Sequence, residues 1–249
     1  MILASPPIDP GLRMPVFSHA FQPIVDLVAR RVHAYEALVR GPAGESARQV
    51  LDQVPPALAY GFDEASRAAA IERAVALGID QQLHLNCLPL GLSRVEKPLV
   101  DTLAAAERCG LPLRRIVLEV TESEAITDPA HWAVHLDECR AMGLKVAIDD
   151  FGAGYAGLNL LADFQPDQVK IDMGLVRGID RHGPRQAIVR AVVQACDDLA
   201  IDVVVEGVET ADECRWFLDH GVRLFQGYLF ARPMFQGLPP WQGPEATGP

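Results

Sequence analysis

The residues best suited to chemistry recur at one kind of position, within or just after a short apolar run. Glu36 lies in an opening apolar segment, Asn86 ends LHLN, Glu119 sits in IVLEVTE, and Asp149 and Asp150 end KVAIDD. Lys170 and Asp172 lie in VKID, Glu206 and Glu209 end VVVEGVE, and Gln226 follows in LFQGY. One acid at the end of an apolar run is ordinarily a helix cap or a surface charge. Eight ionisable residues so placed are a different matter, because acids converging on one mouth repel unless cations neutralise them. Carboxylates with one amide form an all-oxygen ligand set, which suits a hard ion such as magnesium or manganese. The pattern predicts a pair of divalent ions.

Adjacent Asp149 and Asp150 sharpen that prediction. One carboxylate can bridge two ions while its neighbour binds one of them, holding the ions roughly 3.5 to 4 Å apart. Such a pair activates a water at neutral pH and steadies the attacking and leaving oxygens of an in-line displacement, as phosphodiester hydrolysis requires. Lys170 then offers a proton-handling or charge-stabilising group; alternatively it pairs with Asp172, two residues on and so on the same strand face. Residues 150–155, DFGAGY, begin at the second of these aspartates. Gly152 and Gly154 permit positive φ and close backbone approach, which a mobile active-site loop needs and a plain strand-to-helix turn also uses. Glu122, three residues after Glu119, is placed either to anchor that loop or to set a charge at the next helix N-terminus.

The elements that must hold these residues are legible as two alternating periods. β-rich apolar runs occupy residues 21–28, 32–39, 83–87, 116–121, 145–151, 168–173, 202–208 and 224–231. Residues 65–77, 99–109, 131–142, 185–199 and 211–220 instead carry apolar side chains at i, i+3, i+4 spacing. Strands alternating with helices imply a mainly parallel sheet. This many repeats predict an α/β fold, a TIM-like (β/α)8 barrel, over an open doubly wound sheet, whose Gly-rich phosphate loop the sequence lacks. The first two runs are separated only by Ala29-Arg30-Arg31, so a hairpin with one antiparallel strand near the N-terminus is expected. In such a barrel the reactive groups come from the C-terminal strand ends, where these residues fall.

With 249 residues and 49% hydrophobic content, the chain can bury a barrel core without disulfides. The formal charge of -11 argues against a nucleic-acid polymer or an anionic membrane as partner, so a phosphate ligand needs a local cation. Five scattered cysteines without C-x-x-C spacing suggest reduced thiols and a cytoplasmic location. No apolar run reaches the roughly 18 residues of a membrane span, and the first residues lack the pattern of a signal peptide. Proline-containing residues 1–14 and 236–249 are expected to be flexible tails around a barrel of residues 15–235.

Eight motifs then arrive in one order: Gln22-Pro23-Ile24-Val25, Glu36-Ala37-Leu38-Val39-Arg40, Asn86, Glu119-Val120-Thr121-Glu122, Asp149-Asp150-Phe151-Gly152, Lys170-Ile171-Asp172, Glu206-Gly207-Val208-Glu209-Thr210 and Gln226-Gly227-Tyr228. Together they resemble the EAL family of cyclic di-GMP phosphodiesterases across residues 21–233. The GPAGESARQVLDQV stretch after Arg40 is similar to the compact form found in EAL domains fused to blue-light sensors. The resemblance implies that Glu36, Asn86, Glu119 and Asp149 hold one Mg2+ or Mn2+ and that Asp149, Asp150 and Glu206 hold a second; calcium, with its looser and larger coordination, is expected to inhibit. It assigns Lys170 to the catalytic water, with Glu206, Glu209 and Gln226 also in the catalytic set. Gln22, Leu38, Arg40 and Asp172 would contact the dinucleotide, Arg40 with a fork suited to phosphate, and Glu122 would anchor the loop. The implied activity is metal-dependent hydrolysis of cyclic di-GMP to linear pGpG. The alternative is a catalytically silent module that senses cyclic di-GMP or docks a protein. The loop GAGYAGL departs from the commoner GTGYSSL without losing any implied ligand. A homodimer is expected through apolar Leu158, Leu160 and Leu161, with a sensor domain or partner protein outside this chain.

Overall fold

The computed structural model describes residues 12–88, 99–121, 137–153, 161–162 and 165–241. Strands β1 (Ser18–Asp26) and β2 (Arg31–Arg40) form the expected antiparallel hairpin, turning through Arg30 at φ 52°. Helices α1 (Ala47–Leu51) and α2 (Ala59–Ala76) follow. Parallel strands then succeed one another as β3 (Gln82–Asn86), β4 (Ile116–Thr121), β5 (Lys145–Phe151), β6 (Gln168–Ile171), β7 (Asp202–Val205) and β8 (Leu224–Phe225). Between them lie α3 (Val100–Cys109), α4 (Met173–Val176), α5 (Gly183–Asp198) and α6 (Ala211–Asp219).

The ring runs β2-β3-β4-β5-β6-β7-β8-β1 and closes through the β1–β2 pairing, with β1 antiparallel to both neighbours. This is the expected TIM-like barrel, with one further strand, β9 (Met234–Phe235), paired to β1 outside the ring. Alternation along each strand divides the core in two. One set of alternating side chains, including Tyr35, Leu83, Leu85, Leu118 and Val146, packs outward against the helices. Inside the ring, Ile24, Ala34, Val204 and Leu224 form a small apolar plug two residues below Gln22, Glu36, Glu206 and Gln226. On the side of β7, β8, β1 and β2 the polar mouth therefore rests on an apolar floor.

Several boundaries differ from expectation for local reasons. The sixth run stops at Ile171 because Asp172 caps α4, accepting from the Gly174 N–H at 2.7 Å. The seventh stops at Val205, before Gly207 at φ 62°, and the eighth is only two residues long. There the chain folds back so closely that a Cβ at Gly227 would lie 2.1 Å from Val208 O. Helix α2 begins at Ala59, six residues earlier than its apolar period. Of the helix expected at 131–142, residues 137–141 are helical and 131–136 lie outside the described residues. Packing also extends past the expected boundary at residue 235. Gln236 N–H donates to His19 O at 2.9 Å, and Leu238 and Trp241 pack on the outer core, so residues 236–241 are not a free tail.

Leu161 corrects another expectation. It is buried in the outer core and adds nothing to an exposed apolar face, while Leu158 and Leu160 lie outside the described residues. All five cysteines are unpaired, and burial pushes the Cys87 thiol up to about 12. Among the described residues no helix is long and apolar enough to cross a membrane.

Candidate active site

Register brings the predicted residues to one level. Gln22 of β1 pairs with Glu36 of β2, Asn86 of β3 with Glu119 of β4, and Thr121 of β4 with Asp149 of β5. Neighbours along a regular strand face opposite sides, so Asp149 and Asp150 would not share the mouth. They do so because the β5–β6 ladder shifts between Ile148 and Phe151, and Asp150 takes φ 53°. This is a bulge, and aspartate is one of the few residue types that tolerates that backbone conformation. Carboxylate oxygens of Asp149, Asp150 and Glu206 consequently lie within 4.8 Å of one another.

Lys170 rises from β6 into the centre of the acids and is almost fully buried. Its Nζ stands 2.6 Å from Glu119 Oε1, 2.7 Å from Glu206 Oε1, 3.0 Å from Asp149 Oδ1 and 3.4 Å from Glu36 Oε2. The alternative pairing with Asp172 is not formed, since that carboxylate caps α4. Burial disfavours the lysine's charge, but the four carboxylates outweigh it and hold the pKa well above its ordinary value. Burial, with mutual repulsion, pushes Glu119, Glu206 and Asp150 up. His84, inside the barrel below Asn86, lies with Nδ1 2.7 Å from Glu119 Oε1, and burial with the nearby lysine keeps it neutral. Glu36 is fixed by Gln226 Nε2 at 2.6 Å and faces Asn86 Nδ2 at 3.4 Å. Gln226 also donates to Gln22 Oε1 at 3.3 Å, and Gln22 donates to Ala231 O at 3.1 Å.

These residues fit a divalent metal pair. Among the described residues Lys170 is the one interior cation set against five carboxylates, pairing with Glu36, Glu119, Asp149 and Glu206 while Asp150 stands beside them, so the mouth keeps an excess of negative charge. Glu119 Oε2 is buried without a hydrogen-bond partner among the described residues, and Asp149 Oδ1 faces the lysine without hydrogen-bond alignment. Such orphaned oxygens are what a hard cation satisfies.

Two cavities flank the cluster. One, of about 300 Å3, is lined by Gln22, Asp150, Asp172, Arg177, Glu209 and Tyr228 among others. Its rim is braced by an Arg177–Glu209 ion pair at 2.9 Å and by Glu213, whose carboxylate accepts from the Gly178, Glu209 and Thr210 N–H groups. Glu209 thus stands on the exposed rim. The second cavity, of about 620 Å3, is largely apolar and includes Leu38, Val39, Leu51, Phe62 and Asn86 in its wall. Arg40 turns back to Val39 O at 2.7 Å, and Glu122 lies outside the described residues. The structure therefore gathers Gln22, Glu36, Asn86, Glu119, Asp149, Asp150, Lys170, Glu206 and Gln226, with Leu38, Asp172 and Glu209 on the adjoining walls. Sequence reading missed His84, Arg177 and Glu213. The two-residue step from His84 to Asn86 is the signal that would have found the first.

Comparison with known proteins agrees with this geometry. The profile of the EAL domain matches residues 11–233. BluF of Escherichia coli K12, named a blue light- and temperature-regulated antirepressor, is 37% identical over 227 residues, covering 91% of this chain and 56% of its own length. The chain thus spans little more than half of that relative. A standalone EAL protein of Vibrio cholerae O395, solved with cyclic di-GMP bound, superposes with TM-score 0.87 at 42% identity, over 91% of this chain and 95% of its own. Klebsiella pneumoniae BlrP1, solved with manganese and cyclic di-GMP, gives TM-score 0.86 at 41% identity over 94% of this chain and 59% of its own, and was also solved with calcium. The cyclic di-GMP phosphodiesterase RocR of Pseudomonas aeruginosa is 35% identical over 171 residues, covering 68% of this chain and 43% of its own length. With its EAL-domain match across the barrel and these relatives, the chain belongs to the EAL-domain family.

Proposed function

We propose that this protein hydrolyses cyclic di-GMP to linear pGpG using two magnesium or manganese ions. The observation that carries the reading is the bulge that aims Asp149 and Asp150 together at Glu206, beside a buried lysine. Glu36, Asn86, Glu119 and Asp149 would hold one ion, and Asp149, Asp150 and Glu206 the other. When bound, the ions neutralise the acids and lower the pKa of a water to near neutrality.

The chain's own residues do the rest. Lys170 is held by four carboxylates, which fixes its Nζ as a donor toward the attacking water or a phosphate oxygen. Gln226, itself held by Gln22, pins the Glu36 carboxylate. Leu38 offers an apolar wall to a nucleotide base, and Asp172, Arg177 and Glu209 line the opposite cavity. Arg40 supports phosphate once released from Val39 O. The experiment is turnover of cyclic di-GMP by the purified chain with Mg2+ or Mn2+. We expect pGpG, abolished by chelator and suppressed by Ca2+, and undiminished turnover in excess EDTA overturns the reading.

The similarity to BluF favours one second reading, because that relative is named for antirepression. In it the barrel binds cyclic di-GMP, or a protein, without cleaving it. Saturable binding with no pGpG in Mn2+ would establish that alternative. Unpaired cysteines fit a cytoplasmic location, and a homodimer coupled to a sensor outside this chain fits the proposed signalling role.

A further inference from the structure

Helix α2 buries a charge that the proposed reaction does not use. Arg67 is only 4% exposed and forms ion pairs with Asp63 and with Glu64, the latter at 2.5 Å. Its Nε donates to Thr102 Oγ1 at 3.0 Å, and its Nη1 lies 3.4 Å from the carbonyl of Asn86. Asp63 Oδ2 faces the Leu88 N–H at 3.4 Å, so one ion pair holds the chain at the Asn86 carbonyl and again two residues on, as it leaves β3. Glu64 accepts from Leu99 N–H at 2.9 Å and Thr102 N–H at 3.3 Å. It thereby caps α3, whose N-cap residue, Leu99, has no side-chain acceptor to offer.

Asn86 needs such support. It is the last residue of β3 and is exposed, and its own amide reaches Glu36 only at 3.4 Å. A neutral amide is also the weakest donor in the ligand set, so its geometry depends on the backbone that carries it. A buried ion pair adds little net stability compared with apolar packing, so its value here lies in placement. We infer that Arg67, with Asp63, is a positioning residue that aims Asn86 at the metal ion it shares with Glu36, Glu119 and Asp149. This rests on the reading of Asn86 as a ligand.

The test is a double-mutant cycle on Mn2+ affinity, measured by calorimetry on metal-free protein without substrate, using Asn86→Ala, Arg67→Met and the pair. Partners that orient a ligand change metal affinity by roughly 10- to 100-fold. Arg67→Met should therefore weaken Mn2+ binding by about tenfold, Asn86→Ala by at least as much, and the double variant by no more than about twofold beyond Asn86→Ala. Circular dichroism checks folding. Arg67→Lys, which keeps the buried charge but loses the fork, carries the same expectation if Arg67→Met does not fold. If Asn86→Ala leaves Mn2+ affinity unchanged, the ligand assignment falls and this inference with it. If Asn86→Ala weakens binding while folded Arg67 variants do not, or if the two effects multiply, the inference alone is overturned and the metal site stands.

Discussion

Lys170 is one positive charge set among four carboxylates, and its removal has separable consequences. In Lys170→Ala, kcat at saturating Mn2+ should fall by a factor on the order of 100 or more while cyclic di-GMP still binds. The metal-free protein should also lose about 3 kcal/mol or more in urea unfolding, because buried acids lose their partner. Lys170→Arg keeps the charge, so near wild-type turnover in that variant would eliminate lysine as a proton donor. Asp150→Asn probes the opposite sign. Asparagine tolerates the same backbone and removes a repelled charge, so the metal-free melting temperature should hold or rise while the Mn2+-induced increase shrinks, both read by thermal melts. Residue types at strand ends made these acids legible in the sequence. That Asp149 and Asp150 act at one mouth was legible from their chemistry, but the means was not, because strand alternation forbids it until the bulge is seen.

Between β1 and α2 lies a titrating contact independent of the metal cluster. His19 of β1 is buried beside Ser66 of α2, 3.1 Å from its hydroxyl, and burial, aided by Arg73 and Arg40, lowers its pKa to about 4. A histidine buried neutral gives its full contribution above its unfolded pKa near 6.5, and that contribution is lost as pH falls toward 4. The lost contribution is about 3 kcal/mol. Between pH 7 and pH 4 the wild type should therefore lose about that much more stability in urea titrations than His19→Gln. Equal losses would contradict this account. The strands of the barrel were legible because each is an apolar run bounded by polar residues. The start of α2 was not, because 59–64 (AYGFDE) breaks the apolar period, and what fixes it is Glu64 and Asp63 bonding to residues far away in sequence.

Over the whole molecule, a net charge of -11 concentrates part of its repulsion at a single mouth, so folding and metal binding are linked. Mn2+ at about a hundred times its Kd should stabilise the fold by about 2.7 kcal/mol per site, seen as a rise in melting temperature that EDTA reverses. A melting temperature insensitive to Mn2+ would deny the protein a folded-state metal site. The ring itself was legible from the count of alternating runs, but β9 was not, being two residues in a stretch dominated by glycine and proline. Its position has a mechanical meaning. Strand β8 meets β1 only at Val25 and Asp26, leaving the upper half of β1 to pair on that side with β9 at Ala20 and Phe21. The barrel is therefore a hoop fastened by a separate clasp, and the clasp sits one residue from Gln22. A chain cut after Pro233 would keep every candidate ligand and still leave that seam unzipped, with a bare strand edge open to pairing with other chains.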